Sequence, residues 1–274
     1  MIKLSTPHSH TPYCDGQSSP REMVEAALKL GFVSLGFSSH ARQDFDLAYA
    51  LDERGEQDYI RDIRALQQEY RGRIRLWLGM ERDALSTAQR EPFDYVLASV
   101  HYTQAGGGRV AVDGPPELVA GCIREHFGGD GLAFAEDYYQ TLGGYIRDYR
   151  PDIIGHLDLL TKHNAAWRFF DTAHPRYIRA ARRAMDEAIT GCRLMEVNTG
   201  AIARSGASAP YPGLELLQYW RGIGGEVILS SDCHRVSQLN AGYEQGEKLI
   251  RAAGYKKAAF LGRHEDLFEW CELA

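Results

Sequence analysis

The chain has 274 residues, 31 of them Lys or Arg and 37 Asp or Glu, for a formal net charge of −6 at neutral pH. At 44% hydrophobic and 25% charged residues it has the make-up of an ordinary globular protein, read as one domain over residues 1–274. The acidic balance excludes sequence-blind binding to a nucleic acid polymer, and no apolar stretch nears the roughly 18 residues of a membrane span.

A short apolar run at residues 2–4 reads as the first strand. Ser19 caps a helix with Pro20 at its first position, and Gly31 stops it. Residues 33–37 are a compact apolar segment bounded by a polar turn, hence a buried strand. Residues 56–70 are helical by spacing, with Ile60, Ile63, Leu66 and Tyr70 on one face. Strands follow at 74–80 and 95–100. Residues 102–130 break the regularity, with three glycines at 106–108 and the pair Pro115 and Pro116. They read as a long loop with a short helix, the kind of segment that acts as a lid. Strands at 153–154, 194–197 and 226–229 then alternate with helices at 133–149, 174–190 and 213–223. Seven buried strands separated by helices imply a parallel sheet covered by helices, since each parallel return needs a crossover.

The histidines fall at the carboxyl ends of these strands. His8 and His10 follow the first, His40 the second, Glu81 the third, His101 the fourth and His156 the fifth, while Asp232 and His234 follow the last. In a parallel barrel those ends share one rim, where active sites are built. Six neutral imidazoles crowded together lack partners, and protonated they repel. Divalent metal ions resolve both problems, and zinc, iron and manganese all suit imidazole and carboxylate ligands. So many ligands exceed the four to six bonds of one ion, which implies a cluster of two or three with Glu81 as a bridge. The five cysteines form no CxxC pair and the start MIKLSTPHSH is too polar for a secretory signal, so a cytoplasmic setting is expected.

HSH, CDG, SSHA, GMERD, SVH, GHLDL, EVNTG and SSDCH, in that order, resemble the polymerase-and-histidinol-phosphatase (PHP) family. HTPYCDG, GHLDLLTKHN and NTGAIARSGASAPYP are similar to its histidinol-phosphatase branch. The resemblance implies an α/β fold, a single distorted (β/α)7 TIM-like barrel, in agreement with the seven strands. It further implies three metal ions. His8, His10, Glu81 and Asp232 would hold the first, Glu81, His101 and His156 the second, and Asp15, His40 and His234 the third. Asp15 stands where many relatives carry His. The implied reaction is hydrolysis of a small phosphomonoester, L-histidinol phosphate foremost, by metal-activated water. Asp232, His234 or a metal-bound water would supply the proton for the leaving oxygen.

Arg204, just beyond the strand at 194–197, is a candidate phosphate clamp, and Arg42 after His40 has the same logic. Glu196 and Asn198 are candidates for polar substrate contacts, with a hydrogen-bonded strand-end pair as the plain alternative. Asp158 is expected to orient a ligand imidazole, Lys162 and His163 to be solvated, and Cys14 and Cys233 to pack. Other readings are a PHP phosphoesterase acting on mononucleotides or phosphotyrosine, an amidohydrolase-like hydrolase, and a non-enzymatic metal scaffold. Amidohydrolase-like barrels normally place a bridging lysine where Glu81 stands, and a scaffold predicts broken ligand positions, of which there are none. The sequence carries no signal for oligomeric state.

Overall fold

The computed structural model describes residues 2–104 and 108–273. The first half runs β1 (Ser5–Thr6), α1 (Pro20–Leu30), β2 (Ser34–Phe37), α2 (Glu53–Glu69), β3 (Arg75–Asp83), β4 (Tyr95–Ser99), β5 (Tyr102–Thr103), β6 (Val110–Ala111), α3 (Pro116–His126) and α4 (Gly131–Tyr149). The second half runs β7 (Ile153–Ile154), α5 (Asn164–Trp167), α6 (Pro175–Ala188), β8 (Leu194–Asn198), α7 (Gly200–Ser205), α8 (Leu214–Gly222), β9 (Glu226–Ser230), α9 (Tyr243–Ala252), β10 (Lys257–Leu261) and β11 (Phe268–Glu272).

Among the described residues nine strands form one sheet, in the order β1-β2-β3-β4-β7-β8-β9-β10-β11. Neighbours are parallel as far as β10, and β11 returns antiparallel to it. The sheet curls until its ends approach. Ser9, beyond β1, forms a parallel bridge with Cys233, and the Leu261 amide of β10 donates to Ser5 Oγ at 3.1 Å. The result is an α/β fold with a strongly curled sheet, the distorted barrel expected from sequence.

Local chemistry explains the helix boundaries. Ser19 and Glu22 form a reciprocal capping box on α1, and Gly31 ends it in the left-handed region at φ 79°. α2 starts earlier than its apolar spacing indicates, because the Asp52 carboxylate accepts from the Gly55 amide at 2.6 Å and caps the helix there. Its buried face carries Tyr59, Ile63 and Leu66, and Ile60 is only partly buried.

Three further expectations change. The first strand lies at Ser5–Thr6 rather than 2–4, because two small polar residues are fully enclosed where the sheet curls shut. β10 and β11 were not expected: in β10, Lys-Ala-Ala-Phe-Leu lacks β-branched residues, and its strand state comes from pairing with β9 and β11. The irregular stretch after β4 holds the hairpin β5–β6 as well as α3. Of its three glycines, Gly106 and Gly107 lie outside the described residues.

The core has two main parts. One lies between the strands β4 and β7–β10 and the helices α4, α6 and α8 and includes Tyr138, Tyr139 and Trp220; the other joins α1 and α2 to β2 and β3. Inside the barrel Tyr95 is fully buried and fills the space left by Gly36 and Gly79, where any added methyl group would collide with its ring. Its hydroxyl donates to the Pro7 carbonyl, immediately ahead of His8. No helix among the described residues is long and apolar enough to cross a membrane.

Candidate metal centre

The rim residues converge as the strand map requires. Strand-like alternation puts His8 and His10 on one side of their segment, ring centroids 5.1 Å apart. His40 bridges Glu81 in register at the end of β2, and the Ala41 amide donates to the Glu81 carbonyl at 2.8 Å. Asp232 has φ 48°, a left-handed turn at which β9 gives way to His234.

Glu81 stands at the centre. Its Oε2 lies 2.9 Å from His40 Nδ1, 3.2 Å from His8 Nε2 and 3.6 Å from His10 Nε2. Its Oε1 lies 2.9 Å from His156 Nε2 and 3.4 Å from His101 Nε2. Asp232 Oδ1 faces His10 Nε2 at 3.2 Å and His8 Nε2 at 3.6 Å. Asp15 reaches His234 Nε2 at 3.1 Å, His10 Nδ1 at 3.4 Å and His40 Nε2 at 3.8 Å.

Among the described residues three ligand groups emerge, each with its donor atoms within 4.8 Å of one another: His10, Asp15, His40 and His234; His8, His10 and Asp232; His40, Glu81 and His101. Atoms about 2.1 Å from a shared ion stand roughly 3–4 Å apart, close to the 3.1–3.4 Å separations of His8 from Glu81, His10 from Asp232, His101 from Glu81 and His234 from Asp15. Several of the ligand-type atoms also lack a hydrogen-bond partner. His8 Nε2, His10 Nε2, Glu81 Oε2, Asp15 Oδ1 and His156 Nδ1 are buried without a hydrogen bond. Buried polar atoms are normally satisfied, so this concentration of orphans fits a cluster of divalent ions.

Electrostatics prepares the same atoms. Burial and the neighbours His234 and His40 push His10 down to about 3, so its imidazole is neutral. Burial alone would raise Glu81, but His8, His40 and His101 hold it well below the usual carboxylate range. For Asp232 burial is likewise overcome, chiefly by Arg204 and His8. Burial disfavours a charged His8, yet Asp232, Glu196 and Glu81 outweigh it and keep it raised. A cation is thus favoured at His8 Nε2, as a proton in the absence of metal.

Several neighbours do different work from that expected. Glu196 and Asn198 do not line the cavity. Fully buried Glu196 accepts from the His156 amide at 2.7 Å and Ser230 Oγ at 2.6 Å and sits 2.9 Å from His8 Nδ1. Asn198 Nδ2 donates to Glu196 at 2.8 Å and to Asp232 at 3.1 Å. The two form the hydrogen-bonded strand-end pair that was the plain alternative, and support ligands from behind. Arg42 is also off the cavity wall, with its charge beside Glu56. Asp158 touches no ligand ring; it accepts from the Gly213 amide at 3.0 Å, and burial lifts it to about 6.

Arg204 does line the cavity, and α7 aims its Nη2 at Asp232 Oδ2, 2.7 Å away, with Nη1 on the Asp232 carbonyl. Lys162 is exposed, as expected, and also lines the cavity wall and donates to Asp113 at 2.9 Å, while His163 meets the Asp113 carbonyl at 3.2 Å. Cys233 is fully buried against the second core, where burial pushes its thiol to about 12. Cys14 packs less simply, since its Sγ lies 3.6 Å from His10 Nδ1. Asp83 escaped the sequence reading. It accepts from the His101 amide at 2.7 Å and lies 3.3 Å from His101 Nδ1. Its position two residues after Glu81, on the same strand face, was the available signal.

A curled α/β barrel with buried, partly unsatisfied His, Asp and Glu side chains at its carboxyl rim defines a metal-dependent hydrolase. The sequence model of the PHP domain matches residues 7–200, and the chain belongs to that family, as a metal-dependent phosphoesterase. It is 30% identical to a protein of Deinococcus radiodurans named "Probable histidinol-phosphatase", over 96% of this chain and 98% of that one. It is 26% identical to the histidinol-phosphatase of Bacillus subtilis, over 86% and 96%. Its fold matches, at a TM-score of 0.63 and 20% identity, the histidinol phosphate phosphatase of Lactococcus lactis solved with zinc, L-histidinol and phosphate, over 95% and 97% of the two chains.

Proposed function

We propose that this protein is a histidinol-phosphatase, which converts L-histidinol phosphate and water to L-histidinol and phosphate. The observation that carries the substrate is end-to-end likeness to proteins named for this reaction, joined here to buried His, Asp and Glu groups spaced to hold metal ions. The cavity beside that cluster is about 570 Å³, a size suited to a small ester.

Following the family resemblance, the ligand sets are assigned as His8, His10, Glu81 and Asp232; Glu81, His101 and His156; and Asp15, His40 and His234, although by donor spacing His10 also joins the last set and His40 stands with Glu81 and His101. When bound, divalent ions neutralise charge on the phosphoryl oxygens and acidify water. The chain's own groups do the rest. Glu196 and Asp83 orient His8 and His101, as outer partners of ligand imidazoles do. Arg204 locks Asp232, keeps it ionised, and adds positive charge to the wall on which the phosphate would lie. The proton for the leaving oxygen would come from Asp232, His234 or a metal-bound water.

Phosphate release from L-histidinol phosphate, mononucleotides and phosphotyrosine, with bound metals quantified, tests the reading. A preference in kcat/KM for L-histidinol phosphate of at least about tenfold is expected, roughly 1.4 kcal/mol of discrimination. A smaller preference overturns the assignment in favour of another phosphoesterase.

A further inference from the structure

Resting on that reading, we propose that Asp46 sets substrate choice: its carboxylate receives a protonated nitrogen on the alcohol half of the ester. The site would then prefer phosphomonoesters whose leaving group carries a positive charge.

Two carboxylates line the cavity apart from the metal cluster, Asp46 and Asp113. Asp113 is already matched, by Lys162 Nζ at 2.9 Å from its Oδ2. Asp46 accepts from the Tyr102 hydroxyl at 2.7 Å and from the Ala48 amide at 3.3 Å, and none of the ion pairs among the described residues includes it. Arg109 lines a neighbouring pocket that shares Asp46 and Tyr102 with this cavity, and its guanidinium lies over the Phe45 ring at 4.2 Å.

A ladder of rings joins the cluster to this anion. Tyr49 packs edge-on against His40 with centroids 4.5 Å apart, and stands 6.2 Å from His101. Tyr102 is 6.3 Å beyond Tyr49 and holds Asp46 on its hydroxyl. Both rings are fixed from behind, Tyr49 by Gln43 Nε2 at 2.7 Å and Tyr102 by an edge-on contact with Phe45 at 5.1 Å.

A phosphoryl group held at the cluster places the remainder of a small ester along these ring faces. Aromatic faces attract cations, and the carboxylate at the end of the ladder completes a corner for one. The same carboxylate repels an ester that brings no positive charge of its own. The corner therefore discriminates against sugar phosphates and mononucleotides as well as favouring a cationic substrate.

The test uses metal-loaded Asp46→Asn, with Asp46→Glu as the variant that keeps the charge. Each is assayed on L-histidinol phosphate and on p-nitrophenyl phosphate, whose leaving group has no cation. Asp46→Asn is expected to lose at least tenfold more kcat/KM on the cationic ester than on p-nitrophenyl phosphate, through KM, and Asp46→Glu to recover most of it. Equal losses on both esters, or none, overturn the proposal. Calorimetric titration with L-histidinol reads the same corner without turnover. At least tenfold weaker binding to Asp46→Asn supports the proposal even in a protein that hydrolyses neither ester, where the phosphatase reading alone fails. Equal affinity overturns it.

Discussion

Glu196 on β8 sets its Oε2 2.9 Å from Nδ1 of His8, a residue 188 positions earlier in the chain. With Nδ1 held by a carboxylate, the lone pair of Nε2 is turned toward Glu81 and Asp232. One buried acid therefore fixes both the ring orientation and the tautomer that a metal ligand needs.

Glu196→Gln keeps the shape and removes the charge. Metal affinity should fall roughly tenfold to a hundredfold, the usual cost of losing such an outer partner. Metal retained after dialysis against graded chelator measures it, and unaltered retention would refute the orienting role.

Glu81 presents both oxygens to imidazole nitrogens, Oε2 to His40 and His8 and Oε1 to His156 and His101. Glu81→Gln should consequently lose two ions together, whereas His40→Ala should chiefly empty one. Metal-to-protein ratios decide the matter, and full metal content with full turnover in Glu81→Gln rules out the bridge.

Metal-free protein should be most stable near about pH 6.5, for two opposed reasons. His10, held at about 3 against an ordinary 6.5, stabilises the fold fully above 6.5, and this is lost as pH falls toward 3. Glu81 and Asp232, held below their ordinary values, add to the acid-side loss. His8 and His101 are raised in the fold, so their contribution is full below 6.5 and is lost as pH rises above it. Metal replaces the proton at His8 and should flatten the alkaline arm. Tm from about pH 4 to 9, with and without chelator, checks this; a chelated protein whose Tm climbs steadily to pH 9 contradicts it.

Gly79 faces the Tyr95 ring without room for a methyl group. Gly79→Ala should cost about 1–3 kcal/mol by overpacking. Because Tyr95 also anchors the Pro7 carbonyl ahead of His8, metal affinity should drop with Tm. Denaturant unfolding of the metal-free and loaded forms separates the two effects, and wild-type stability in both would show that the ring has space to move.

How much could be read along the chain varied with the kind of signal. Helix α1 was legible to the residue, because Ser19, Pro20 and Gly31 act within a few positions of the backbone they terminate. The convergence of His8, His40, His101, His156 and His234 was legible too, because parallel strands force their carboxyl ends to one rim. β1 and β10 were not, since Ser, Thr and Ala strands owe their state to partners rather than to propensity, while β11, Phe-Glu-Trp-Cys-Glu, alternates like a strand and went unread.

Eight rim residues thus announced themselves through order and spacing, which secondary structure converts directly into position, and Asp15 came only from the family resemblance. Their supporting partners did not. That Glu196 and Asn198 stand behind the histidines instead of facing the cavity, that Lys162 is engaged by Asp113, and that Asp46 is left unmatched all follow from side chains meeting across distant segments. Alternation along a strand says which face a residue takes, but only the packing of neighbouring elements says what waits on that face.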